Sequence, residues 1–146
     1  MRAAFLALIL APGAAMADCR AETFVSCDVG DGRRLEVCIN PGNMTQGGTF
    51  TYSFGPEGAP ELQLMTPMSA MTVQPWSGVG RAIWAAVGFP NDEYRYEVWH
   101  SLDRLTENAV MEAGVNVMQG DAPIASFACQ PGGIIAPAFA LEDAMA

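Results

Sequence analysis

The chain contains no lysine. Its seven basic residues are all arginine, set against sixteen aspartates and glutamates. A formal charge of −9 disfavours nucleic acid and anionic membrane surfaces as partners, since both are bound through a basic face. There is one histidine and no Cys-x-x-Cys pair, which argues against a zinc site. Neither a Gly-x-Ser-x-Gly elbow nor a calcium-loop pattern occurs. No apolar run approaches the roughly 20 residues that cross a bilayer as a helix.

What is present starts with a leader. Arg2 precedes an apolar run over residues 3–11, and a small-residue exit ends in Ala15-Met16-Ala17. Charge, short apolar core and small residues in that order read as a secretory signal peptide over residues 1–17. Cleavage after Ala17 leaves 129 residues, enough for one domain. With Arg2 lost, six arginines face sixteen carboxylates, a formal charge of −10. That balance keeps an exported protein soluble and favours a basic partner over an acidic one. The expected location is the periplasm or the exterior.

The rest of the chain reads as short strands punctuated by Gly, Pro, Asn and Asp. Residues 22–29 place Val25, Cys27 and Val29 on one face, and residues 33–40 place Leu35, Val37 and Ile39 on one face. Gly30-Asp31-Gly32 lies between them, a hairpin signature. Further strands are expected at 49–54, 61–65, 71–74, 82–89 and 94–98, with a last hairpin over 115–119 and 123–129. Residues 103–112 are the one segment expected to form a helical turn or two. About eight strands at this spacing predict a single all-β domain over residues 18–130, an antiparallel barrel or a compact sandwich. The Gly/Pro/Ala-rich tail, residues 131–146, either adds a final strand or stays mobile.

Four cysteines after a leader predict two disulfides. A three-residue hairpin loop sets Val25 opposite Val37 and Cys27 opposite Leu35. Cys27 then points inward while Cys38 shares the polar face with Arg34 and Glu36. This favours Cys27–Cys129, with Cys19–Cys38 by elimination. A four-residue turn would instead allow Cys27–Cys38.

Candidates for chemistry are few. His100 stands beside Trp99, with Ser101 and Asp103 near in sequence, but strand spacing does not make a triad. It reads as a surface or strand-end histidine. No two carboxylates stand out as a glycosidase pair. The loop Gln74-Pro75-Trp76-Ser77-Gly78-Val79-Gly80-Arg81 is more informative. Its glycines make it conformationally unusual, and Trp76 and Arg81 are residue types that anchor interfaces. Read structurally, Trp76 caps one end of the core and Arg81 pairs with a surface carboxylate.

Phe24-Val25-Ser26-Cys27-Asp28-Val29-Gly30, followed by Leu35-Glu36-Val37, resembles the opening hairpin of the periplasmic inhibitors of c-type lysozyme. The likeness lies in this hairpin and in the placement of Cys27 and Cys129. It implies a small antiparallel barrel with the hairpin cysteine bonded near the C-terminus. It also implies a Ser-Gly loop and a basic residue that enter the lysozyme cleft, for which Ser77, Gly78 and Arg81 are the matching candidates; with Trp76 they make the expected binding site. The expectation is a non-enzymatic exported binding protein, an inhibitor of a basic cell-wall hydrolase such as lysozyme, with no catalytic residue, metal or cofactor. The alternatives are a small-molecule-binding barrel lined by residues 82–89 and 115–117 with Met65, Met68 and Met71, a structural envelope protein, and a small hydrolase using His100.

Overall fold

The computed structural model describes residues 19–42 and 47–146. The expected leader, residues 1–17, lies outside the described residues, as do residues 43–46 of the loop expected after the first hairpin.

Two sheets form, each a meander of sequence-adjacent antiparallel strands. The first is β1 (Glu22–Gly30), β2 (Arg33–Asn40), β3 (Thr49–Pro56) and β4 (Leu62–Pro67). The second is β5 (Thr72–Gln74), β6 (Ala82–Asn91), β7 (Tyr94–Asp103), β8 (Glu112–Gln119) and β9 (Ala122–Ala128). A single 3-10 turn, Met68–Ala70, carries the chain from one sheet to the other. The chain ends in a short helix, α1 (Ala140–Met145).

Alternation sends one side of each sheet inward. Phe24, Leu35, Val37, Phe50 and Tyr52 of the first sheet face Ala85, Val87, Phe89, Val98 and Val115 of the second, and all are buried. Aromatic rings join the layers: Phe50 and Tyr52 lie 6.3 and 5.3 Å from Phe89, and Phe54 lies 4.9 Å from Phe127. Offset and tilted ring contacts at these distances add to the area they bury. The domain is therefore a sandwich, one of the two expected architectures. The sheets do not close into a barrel. Where β1 and β9 approach, a ladder is replaced by the Cys27–Cys129 disulfide and a bond from the Gln130 N–H to the Asp28 carbonyl, 2.7 Å.

The first hairpin has the expected register, Val25 opposite Val37 and Cys27 opposite Leu35. Its turn is tighter than expected. Gly30 pairs with Arg33, and Asp31 and Gly32 take φ of 53° and 70°. Two consecutive positive φ values match the right-handed twist of the strands. A bulge between Asp28 and Gly30 absorbs the odd residue, so the pairing beyond it is unchanged. Cys27 consequently faces the core and bonds Cys129, and Cys19 bonds Cys38.

Two elements differ from the sequence reading. Residues 104–108 form turns and 109–111 an irregular link, not a helix. The helix lies instead in the tail. Ile135 exchanges two backbone bonds with Ser26 on the free edge of β1, 2.8 and 2.9 Å, and α1 then docks with Ala140 and Leu141 fully buried. A six-residue helix has no stability of its own, so burial of Leu141 holds it.

Candidate functional site

The loop over residues 75–81 leaves the sandwich between β5 and β6. Gly78 and Gly80 have φ of 85° and 103°, conformations that side chains resist. The loop folds back so that the Trp76 indole N–H donates to the Val79 carbonyl at 3.1 Å. Three groups from elsewhere clamp Trp76. Glu142 Oε1, on α1, accepts from its backbone N–H at 2.8 Å. The Phe139 ring lies 6.2 Å from the indole, and the Arg104 guanidinium sits over it at 5.2 Å, within cation–π range.

Arg81 closes the loop on the other side. Its Nε donates to Asp103 Oδ2 at 2.8 Å and its Nη2 to Thr106 Oγ1 at 3.2 Å. Asp103 also accepts from the Thr106 hydroxyl, 2.7 Å, and from the Leu105 N–H, 3.0 Å. These donors, Thr106 first and Arg81 second, hold the Asp103 carboxyl down to about 2.

The four residues singled out in the sequence thus share one loop. Trp76 is half-buried against Phe139, Ser77 and Gly78 are exposed, and Arg81 is exposed and paired with Asp103. Around them stand Asp103, Arg104, Thr106, Phe139 and Glu142, which the sequence reading did not attach to the loop. Asp103 and Thr106 carried a local signal, the Asp-x-x-Ser/Thr pattern of a self-bonded turn. Phe139 and Glu142 carried none, because their contacts span the length of the domain. Val79 and Leu105 are left 71% and 68% exposed, so the cluster presents apolar side chains on a braced frame.

His100 is not at the surface, as its sequence setting implied. It lies mid-strand in β7, fully buried, with its ring 5.1 Å from Phe24. The cause is legible in retrospect: Tyr94, Tyr96 and Val98 alternate inward, and His100 continues that face. Among the described residues neither ring nitrogen has a hydrogen-bond partner. Burial pushes its pKa down from 6.5, and the field of Glu142 opposes the shift. Ser101 points to the opposite face and Asp103 is committed to Arg81, so these residues do not assemble a triad.

Cys19, Glu36 and Cys38 come together with metal-like spacing. The disulfide occupies both thiols, which leaves the group without thiolate ligands. A groove of about 430 Å³ lies beside it on the outer face of the first sheet, lined in part by Arg20, Thr51 and Gln63. The residues proposed to line an internal cavity do not do so together. Val87, Phe89 and Val115 fill the interior, while Met65 is exposed. Among the described residues no helix is long and apolar enough to cross a membrane. Comparison with protein-family models, with curated proteins and with solved structures finds no match to this chain.

Proposed function

We propose that this is an exported, non-enzymatic binding protein whose interface is the Trp76 loop, and that its partner is a basic cell-wall hydrolase such as a lysozyme. One observation carries the reading. Trp76 is clamped by Glu142, Phe139 and Arg104, Arg81 is braced by Asp103 and Thr106, and the apolar Val79 and Leu105 are left to solvent between them. A rigid frame around exposed apolar groups lowers the entropy lost on association. Trp and Arg at such a site are the types that dominate binding energy. The excess of carboxylates over arginines supports a basic partner, because opposite charge raises encounter rates. Two disulfides among the described residues support an oxidising compartment. The hairpin resemblance supports lysozyme within that class.

The test is a titration of the oxidised mature chain against c-type, g-type and i-type lysozymes, following lysis of cell-wall substrate. Stoichiometric inhibition of one class, weakened by Val79→Asp and by Arg81→Ala in proteins that remain folded, is the expected result. Absence of inhibition at micromolar protein would overturn the partner. Inhibition unaffected by both variants would overturn the interface.

A further inference from the structure

We propose that His100 and Glu142 make the C-terminal segment an acid-released latch on the Trp76 loop. The loop is the one assigned above as an interface, and the consequence for binding rests on that reading; the latch itself requires no partner.

Three observations converge. His100 is fully buried, and both ring nitrogens are unpartnered among the described residues. Glu142 uses one oxygen to hold the Trp76 N–H, and its other oxygen is buried without a partner among the described residues. The segment bearing Glu142 is attached by few contacts: the two Ser26–Ile135 backbone bonds, the burial of Ala136, Ala140 and Leu141 with Ile134 and Ala144 packed beside them, and the contacts of Phe139 and Glu142 with Trp76. The surroundings of the imidazole supply almost no countercharge. Its neighbours across the sheet are Ala85 on β6 and Ala113 on β8, and the β1 side chain against it is Phe24. Among the described residues Glu142 is the charged group whose field reaches it.

A protonated imidazole in such a place gives up hydration and finds no acceptor for its two N–H groups. Neutral His100 is therefore the folded form. It can take up a proton freely only when something over it opens. The strands of both sheets are held by ladders along their lengths, whereas α1 is one short helix docked on β1, the strand whose Phe24 packs against the ring. Lifting α1 hydrates His100 and, in the same movement, withdraws Glu142 from Trp76. Acid thus couples the uptake of one proton to release of the loop.

The sign follows from linkage. His100 is held neutral when closed and has its ordinary pKa near 6.5 when open. Above that value both forms are neutral and the latch is at its tightest. Below it the open form gains a proton, and the opening constant rises about tenfold per pH unit.

Hydrogen exchange of the disulfide-intact protein from pH 7.5 to 5, corrected for intrinsic rates, reads this directly. The expected result is a rise of about tenfold per unit below 6.5 in the opening constant of residues 134–146, with β2 and β6 amides still protected. Both His100→Leu and His100→Met should flatten that dependence, and Glu142→Gln should retain it. A rise shared equally by all strands, persistence in the His100 variants, or its loss in Glu142→Gln would overturn the latch. Should the His100 variants fail to fold, the ring decides. His100 is the only histidine, and a ring that titrates near 6.5 while residues 134–146 stay protected would also overturn the proposal. Neither reading depends on a lysozyme, so its failure is separate from that of the interface.

Discussion

The backbone N–H of Trp76 donates to Glu142 Oε1 at 2.8 Å, across 66 residues of sequence. One carboxylate at the end of the chain therefore fixes the shape of a loop near its middle. A bond to a charged acceptor contributes about 1.5–3 kcal/mol. Glu142→Ala should release the loop and cost stability within that range, less whatever water restores. Denaturant unfolding gives the cost, and faster exchange of the Trp76 amide reports the release. An unchanged Trp76 amide would show that the loop holds its shape without α1.

Leu141 is the fully buried side chain that docks α1. Truncating a buried leucine costs about 2–5 kcal/mol when the site stays closed. Leu141→Ala is expected to fall at the low end, because the tail can detach instead of leaving a cavity. Limited proteolysis distinguishes the outcomes: cleavage within residues 131–146 of an otherwise resistant domain is expected. A full-range loss of stability with a resistant tail would mean that α1 and the sandwich unfold as one unit.

The two disulfides close loops of different length, with sequence separations of 102 for Cys27–Cys129 and 19 for Cys19–Cys38. On the chain-entropy model these contribute about 4.7 and about 3 kcal/mol. Paired Cys→Ala replacement should therefore destabilise more at Cys27 and Cys129 than at Cys19 and Cys38, read as the shift in urea midpoint. The reverse order would place the dominant effect in local packing around Cys19.

Gly88 faces the outer side of β6. A Cβ there would overlap Thr72 Oγ1 and approach Arg95 Cδ at 2.9 Å. Gly88→Ala should cost about 1–3 kcal/mol, the range for overpacking. Adding Thr72→Ala should recover part of it, since neighbouring substitutions couple. Thermal unfolding of the two single variants and the double variant measures that coupling, and strict additivity would refute the clash.

Asp103 should remain ionised well into acid, with its midpoint at about 2. Its folded value lies below its unfolded one, so its contribution is complete above about 3.8 and is lost as pH falls through 2. Carboxyl-carbon NMR titration measures the midpoint. Thr106→Val and Arg81→Ala should each raise it, and a midpoint near 3.8 in the unaltered protein would mean that the Arg81–Asp103–Thr106 cluster does not persist in solution.

The first hairpin was readable from residues 22–40 because every force that shapes it is local. Alternation assigns Val25, Leu35 and Val37 to one face, Asp31-Gly32 supplies the positive φ values, and the face of Cys27 follows. Both disulfides followed in turn, since an inward Cys27 meets Cys129 and leaves Cys38 for Cys19. Likewise, Trp76, Ser77, Gly78 and Arg81 stood out together because they are contiguous. The choice of sandwich over barrel was not local: the returning tail bridges the free edge of β1 at Ser26, and a disulfide rather than a ladder ties β1 to the chain just past β9. The burial of His100 required continuing the face set by Tyr96 and Val98, against the residue's own polarity. The tail is the clearest case. Its Gly, Pro and Ala carry no helical period, and α1 exists because the sandwich offers Leu141 a buried seat. Glu142 and Trp76 meet only as a result of that docking, so the clamp on the candidate site belongs to the tertiary structure alone.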